Sequence, residues 1–89
     1  MHAILSPSWE LSTEHAGSSY GHPVLVQRSS KQAFGPGDLV RVYPAWGFLP
    51  ATKAVARLAT LTRLDPQAQA LVDRFVASVP RTGAKGERG

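Results

Sequence analysis

Six side chains in the first half of the chain are the candidates for moving protons, attacking carbonyls or holding metals. They are Glu14, His15, Ser18, Ser19, His22 and Asp38. Zinc ligation needs three or four ligands at compact, recurrent spacings. His15 and His22 stand seven apart with His2 far upstream, which is no such spacing, so no metal site is expected. A Ser-His-Asp set needs its serine on a sharp strand-to-helix elbow of Gly-x-Ser-x-Gly form, and Ser18-Ser19 has no such frame. Gly35-Pro36-Gly37 lacks the Gly-Lys-Ser/Thr that completes a phosphate loop, and Pro36 removes an amide donor, so it reads as a turn. An enzyme of this chain would need His15, His22 and Asp38 to converge on one polar pocket. The expectation is a non-enzymatic protein without a cofactor.

The residues better suited to recognition lie further along. Arg28, Lys31, Arg41, Lys53 and Arg57 are cations, and Tyr43, Trp46 and Phe48 are rings within the Pro-bounded stretch Tyr43–Pro50. Exposed Trp, Tyr and Arg are what interface hot spots are made of, and a domain this small has little interior in which to shelter three rings. These eight residues are the candidate partner-binding set. The competing reading places Trp46 and Phe48 in the core under the helices. Cations converging on phosphates, with rings stacked on bases, would instead suit nucleic acid. A helix-turn-helix does not suit: Pro23-Val24-Leu25-Val26-Gln27 is β-branched where a polar recognition helix is required.

These residues must be positioned by a single domain. The chain has 89 residues and 43% hydrophobic content, enough for one modest core. Residues 1–80 are assigned to it, and the Gly/Lys/Arg-rich 81–89 to a disordered basic tail. The absence of cysteine favours a reducing compartment. With no secretory leader pattern and no apolar run of about 20 residues, a soluble cytoplasmic protein is expected. Charge is uneven: residues 1–27 carry Glu10 and Glu14 and no Lys or Arg (−2). Residues 28–89 carry all ten Lys/Arg against Asp38, Asp65, Asp73 and Glu87 (+6). Such a basic part can meet nucleic acid or an acidic protein surface.

The elements predicted are those of an α+β domain. Residues 1–11 read as extended or irregular, with Trp9 and Leu11 as anchors. Ser12–Gly21 reads as a short helix capped by Ser12 or Thr13 and closed by Gly21. Val24–Gln27, Gln32–Phe34 and Leu39–Tyr43 read as strands of a small antiparallel sheet, with Val40 and Val42 on one face and Leu39, Arg41 and Tyr43 on the other. A helix from Pro50 or Ala51 to about Thr62 has an apolar stripe of Ala51, Val55, Leu58 and Leu61/Thr62. A last helix opens at Asp65-Pro66 and carries Ala68, Leu71, Val72, Phe75, Val76 and Val79 at the full amphipathic spacing before Pro80. The two helices should form an antiparallel hairpin on one sheet face. An uncovered edge at Gln32–Phe34 or Leu39–Tyr43 could add a partner's strand or pair two copies as a homodimer.

The run Thr13-Glu14-His15-Ala16, Ser18-Ser19-Tyr20-Gly21 and Pro23-Val24-Leu25-Val26, followed by Ala33-Phe34-Gly35-Pro36 and Asp38, resembles one found in short proteins of bacterial genomes, many in phage or mobile-element settings. The resemblance spans residues 13–38, under a third of the chain, and assigns no functional residue. It implies a small protein that binds host machinery and inhibits it, as anti-CRISPR proteins do with CRISPR effector complexes. The expected partner is therefore a host protein or ribonucleoprotein complex. The alternative is a nucleic-acid-binding transcriptional regulator.

Overall fold

The computed structural model describes residues 1–18 and 21–78. Their order is β1 (His2–Ser6), β2 (Trp9–Ser12), β3 (Val24–Gln27), β4 (Gln32–Phe34), β5 (Leu39–Val40), β6 (Leu49–Pro50), α1 (Ala51–Leu61) and α2 (Pro66–Ala77). A 3-10 turn over Pro44–Trp46 lies between β5 and β6. The class is α+β, as the sequence predicts. The expected tail, with Val79 and Pro80, lies outside the described residues.

The first four strands form an antiparallel meander in the order β1-β2-β3-β4. Register places Ala3 opposite Leu11 and Leu11 opposite Leu25, with Phe34 opposite Leu25 across β4. Side chains alternate across a strand, so Ala3, Trp9, Leu11, Leu25 and Phe34 share the inner face. The helices cover it, and Leu5, Leu58, Leu71, Val72 and Phe75 complete the same core. The register slips between Ile4 and Ser6, which bends β1 at Leu5.

Three sequence expectations need correction. Residues 1–11, expected to be extended or irregular, are extended with Trp9 and Leu11 buried, and they supply paired strands that the reading did not include. No helix forms over Ser12–Gly21. Ser12 ends β2 with its side chain buried, and its Oγ accepts the amides of Glu14 (3.0 Å) and His15 (3.2 Å), which bends the chain. A short hydroxyl competes in this way with the helical ladder, and a segment with Gly17 and neighbouring serines has little helix propensity to oppose it. Residues 13–18 instead fold back over the outer sheet face. The Gly17 amide donates to His15 Nδ1 (2.9 Å), and Nε2 of the same ring donates to the Lys31 carbonyl (2.8 Å). A Cβ on Gly17 would stand 3.2 Å from the Ala33 Cβ, a tight contact that glycine avoids. Val24 and Val26, on the outer face, are consequently buried.

The third correction concerns Leu39–Tyr43. Only Leu39–Val40 is strand, and it pairs with Leu49–Pro50 in a separate two-stranded ribbon. Pro44 and Pro50 cannot donate to a ladder, so the ribbon stays short and closes through the Pro44–Trp46 turn. Val40 is buried and Val42 is packed against the core, while Leu39, Arg41 and Tyr43 are exposed, the split that alternation predicts.

Helix α1 begins without a side-chain cap. Its first amides are satisfied instead by the 36–38 turn: Ala51 N–H donates to the Asp38 carbonyl (2.8 Å) and Thr52 N–H to that of Pro36 (3.3 Å). The turn is held by the Asp38 carboxylate, which accepts the Gly35 amide at 2.8 Å. The apolar stripe of α1 is Ala51, Ala54, Val55 and Leu58; Leu61, expected in it, is 67% exposed. Helix α2 opens at Pro66 with Asp65 accepting the Ala68 amide (2.8 Å), a side-chain N-cap. No helix of the described residues is long and apolar enough to cross a membrane.

At the outer face, His2 lies between two carboxylates, Nδ1 at 3.1 Å from Glu10 and Nε2 at 3.2 Å from Glu14. Hydrogen bonds from the Met1 ammonium and then from His2 hold the Glu14 carboxyl below the ordinary glutamate value of 4.5. A carboxyl depressed by folding stabilises the native state above its unfolded value, and this is lost as pH falls through the folded one. Urea midpoints of wild type and Glu14→Gln are therefore expected to converge well below pH 4.5 and separate above it, wild type being the more stable. The group is fully exposed, so the separation will be small.

Candidate partner-docking face

The ribbon and its turn gather most of the predicted recognition residues. Leu39 and Arg41 point outward together, and the Arg41 guanidinium lies 5.7 Å from the centre of the Phe48 ring. Tyr43 and Trp46 meet edge to face at 4.9 Å. From α1, Arg57 places its guanidinium 5.4 Å from the Trp46 centroid, and Lys53 lies one turn earlier, also exposed. The face thus has two arginine–aromatic stacks joined through Tyr43. A guanidinium on a ring face keeps its in-plane N–H donors free for a carboxylate or phosphate. Among the described residues, no carboxylate lies within ion-pairing distance of Arg41, Lys53 or Arg57.

Burial decides between the two sequence readings of the rings. Phe48 is 66% exposed and Tyr43 is 43% exposed. Trp46 is partly buried, leaning on the core with one side and bearing Arg57 on the other. The interior takes part of one ring only. Tight chain reversal explains this: Trp46 and Gly47 donate to the carbonyls of Tyr43 (3.0 Å) and Pro44 (3.1 Å), and Gly47 has φ 66°, a left-handed conformation. Phe48 emerges from this turn on the solvent side.

The other two cations stand apart. Arg28 is paired with Glu10 (3.3 Å) and donates to the Pro7 carbonyl (3.1 Å), so its charge is partly neutralised. Lys31 sits at the β3–β4 turn with φ 63°. Among the described residues no hydrogen bond, ion pair or stack joins it to Arg41 or Arg57. The structure therefore brings together Arg41, Tyr43, Trp46, Phe48 and Arg57, with Lys53 beside them, and leaves Arg28 and Lys31 outside.

The sequence reading missed two grooves beside Tyr43. One, of about 450 Å³, is apolar and lined by Ile4, Pro7, Tyr43, Leu58 and Leu61. The other, of about 420 Å³, is more polar and lies between the Ser6-Pro7-Ser8 turn, Gln27 and Arg41, with Trp9 among its lining residues. Ile4 is exposed because alternation turns it from the Ala3–Leu5 side, and Leu61 because α1 ends there. Alternation in residues 3–5 was the available signal for Ile4.

Two of the three side chains that a polar catalytic pocket would draw on, His15 and Asp38, are engaged with backbone. His15 bonds to backbone through both ring nitrogens, and Asp38 holds the Gly35 amide. Among the described residues no three His, Cys, Asp or Glu side chains are grouped to hold a metal. No protein-family model matches the sequence, and comparison with curated proteins and with solved structures finds no match either.

Proposed function

We propose that this chain is a non-enzymatic binding protein that docks on a host macromolecular complex and occludes a site there. A CRISPR effector is the first such complex to test. The observation that carries the reading is the exposed face of two arginine–aromatic stacks with no acid among the described residues to satisfy them. A free guanidinium beside exposed Leu39, Tyr43 and Phe48 has the composition of an interface centre. Resemblance of residues 13–38 to proteins of mobile elements supports the kind of host target. A protein surface is favoured over nucleic acid because large apolar side chains accompany few free cations, whereas phosphate binding draws on many converging ones.

The test compares capture from a bacterial lysate by wild type and by Tyr43→Ala/Phe48→Ala. One protein or ribonucleoprotein is expected on the wild type and not on the variant, and added CRISPR effector should lose target binding only with wild type. Equal recovery by both proteins defeats the proposal. So does retention of purified duplex DNA or RNA that falls steeply with salt, the behaviour of a nucleic-acid-binding regulator.

A further inference from the structure

The two grooves beside Tyr43 specify what kind of segment would dock, on the reading that this face binds protein. They share Ser6, Pro7 and Tyr43, so the Tyr43 side chain forms the ridge between them. On one side the lining is Ile4, Leu58 and Leu61 with no charged side chain. On the other, donors converge: the Ser6 and Ser8 hydroxyls, the Gln27 amide and Arg41, with no Asp or Glu in the lining. Glu10, next to Trp9 of this lining, is taken by Arg28 at 3.3 Å and His2 at 3.1 Å, and no carboxylate among the described residues pairs with Arg41.

We infer that this ridge is straddled by an acidic, extended segment of a partner protein, with an apolar side chain in the Ile4–Leu61 groove and a carboxylate in the Arg41 groove. An extended chain advances about 3.3 Å per residue and returns to the same face every second residue. An apolar residue and an acid two positions apart are thus separated by about 6.6 Å, enough to flank one phenol ring. Charge complementarity selects the acid: Arg41 is held in place by Phe48 at 5.7 Å while its N–H donors have no carboxylate among the described residues. Apolar burial supplies affinity, since Ile4 and Leu61 are among the most exposed large aliphatic side chains.

The experiment is selection from a random linear peptide library on the full chain. One selected peptide is then titrated against wild type, Arg41→Glu, Leu61→Glu and Phe48→Ala. All three positions are exposed, and urea midpoints of the variants verify that they fold. Selected sequences should share an apolar residue with Asp or Glu two positions away. Arg41→Glu and Leu61→Glu should each weaken binding at least about tenfold. Peptides without an acid, weakened by Phe48→Ala but not by Arg41→Glu or Leu61→Glu, would overturn the straddling arrangement and leave the docking face standing. Binding indifferent to all three substitutions, a library yielding no binder, or displacement of the peptide by single-stranded DNA would overturn both.

Discussion

Replacing Phe75 with alanine is expected to remove about 3–5 kcal/mol of stability, the range for emptying a buried aromatic position. The ring is 0% exposed and is the largest side chain buried so completely. It sits where α2 meets the Leu5, Leu11, Leu25, Leu58 and Leu71 side chains of one continuous core. Domains of this size have about 4–13 kcal/mol in total, at about 0.05–0.15 kcal/mol per residue. Phe75→Ala should therefore leave a large unfolded fraction near 37 °C, while Phe75→Leu, with a smaller void, should lose less than half as much. Urea unfolding followed by far-ultraviolet circular dichroism measures both. A loss below about 1.5 kcal/mol for the alanine variant would mean that α2 is not clamped on the sheet as described.

Reversing both stacked arginines, Arg41→Glu with Arg57→Glu, is expected to cost at most about 2 kcal/mol of stability, the two exposed guanidinium–ring contacts being worth about 0.5–1 kcal/mol each. The same change should cut affinity for the protein captured by the docking face at least about a hundredfold, roughly 2.7 kcal/mol. The expected selectivity follows from geometry: each guanidinium lies over a ring and is paired with no acid among the described residues, so folding draws little from its charge. Double lysine replacement should fall between, because an ammonium keeps the charge but loses the planar donor fork. Binding curves with urea midpoints on the same samples check the pair of effects. A variant destabilised by more than about 2 kcal/mol, or one that binds as wild type does, would contradict it.

How much of this was legible in the sequence depends on how local the signal is. Helix α2 was, because Leu71, Val72 and Phe75 recur at helical spacing between Asp65-Pro66 and its end. So was the outward face of Leu39, Arg41 and Tyr43, which follows from strand alternation alone. The Ser12–Gly21 segment was misread as a helix because Ser12 suits a cap, and Gly21 a helix end, as well as they suit a bend. What decides is remote: the His15 contact with Lys31 lies sixteen residues along the chain. The β1–β2 hairpin was missed because the outward position between Ala3 and Leu5 is filled by an apolar residue, Ile4, which hides the in–out alternation that burial shows. At the candidate site, residue types could be read; whether Trp46 and Phe48 lie inside or outside, and how the cations divide, could not. Arg28 is removed from the free set by Glu10, a partner eighteen positions away.

The junction of Asp38 with Ala51 has a consequence for recognition. The segment from Leu39 to Pro50 is tied at its base by β5–β6 pairing and by the backbone bonds that start α1. Its lobe of rings is thus mounted like a jewel in a closed setting: it cannot swing away without fraying the first turn of a buried helix. Little chain entropy then remains to be lost when another molecule arrives, so association should be fast and shape-selective instead of adaptive.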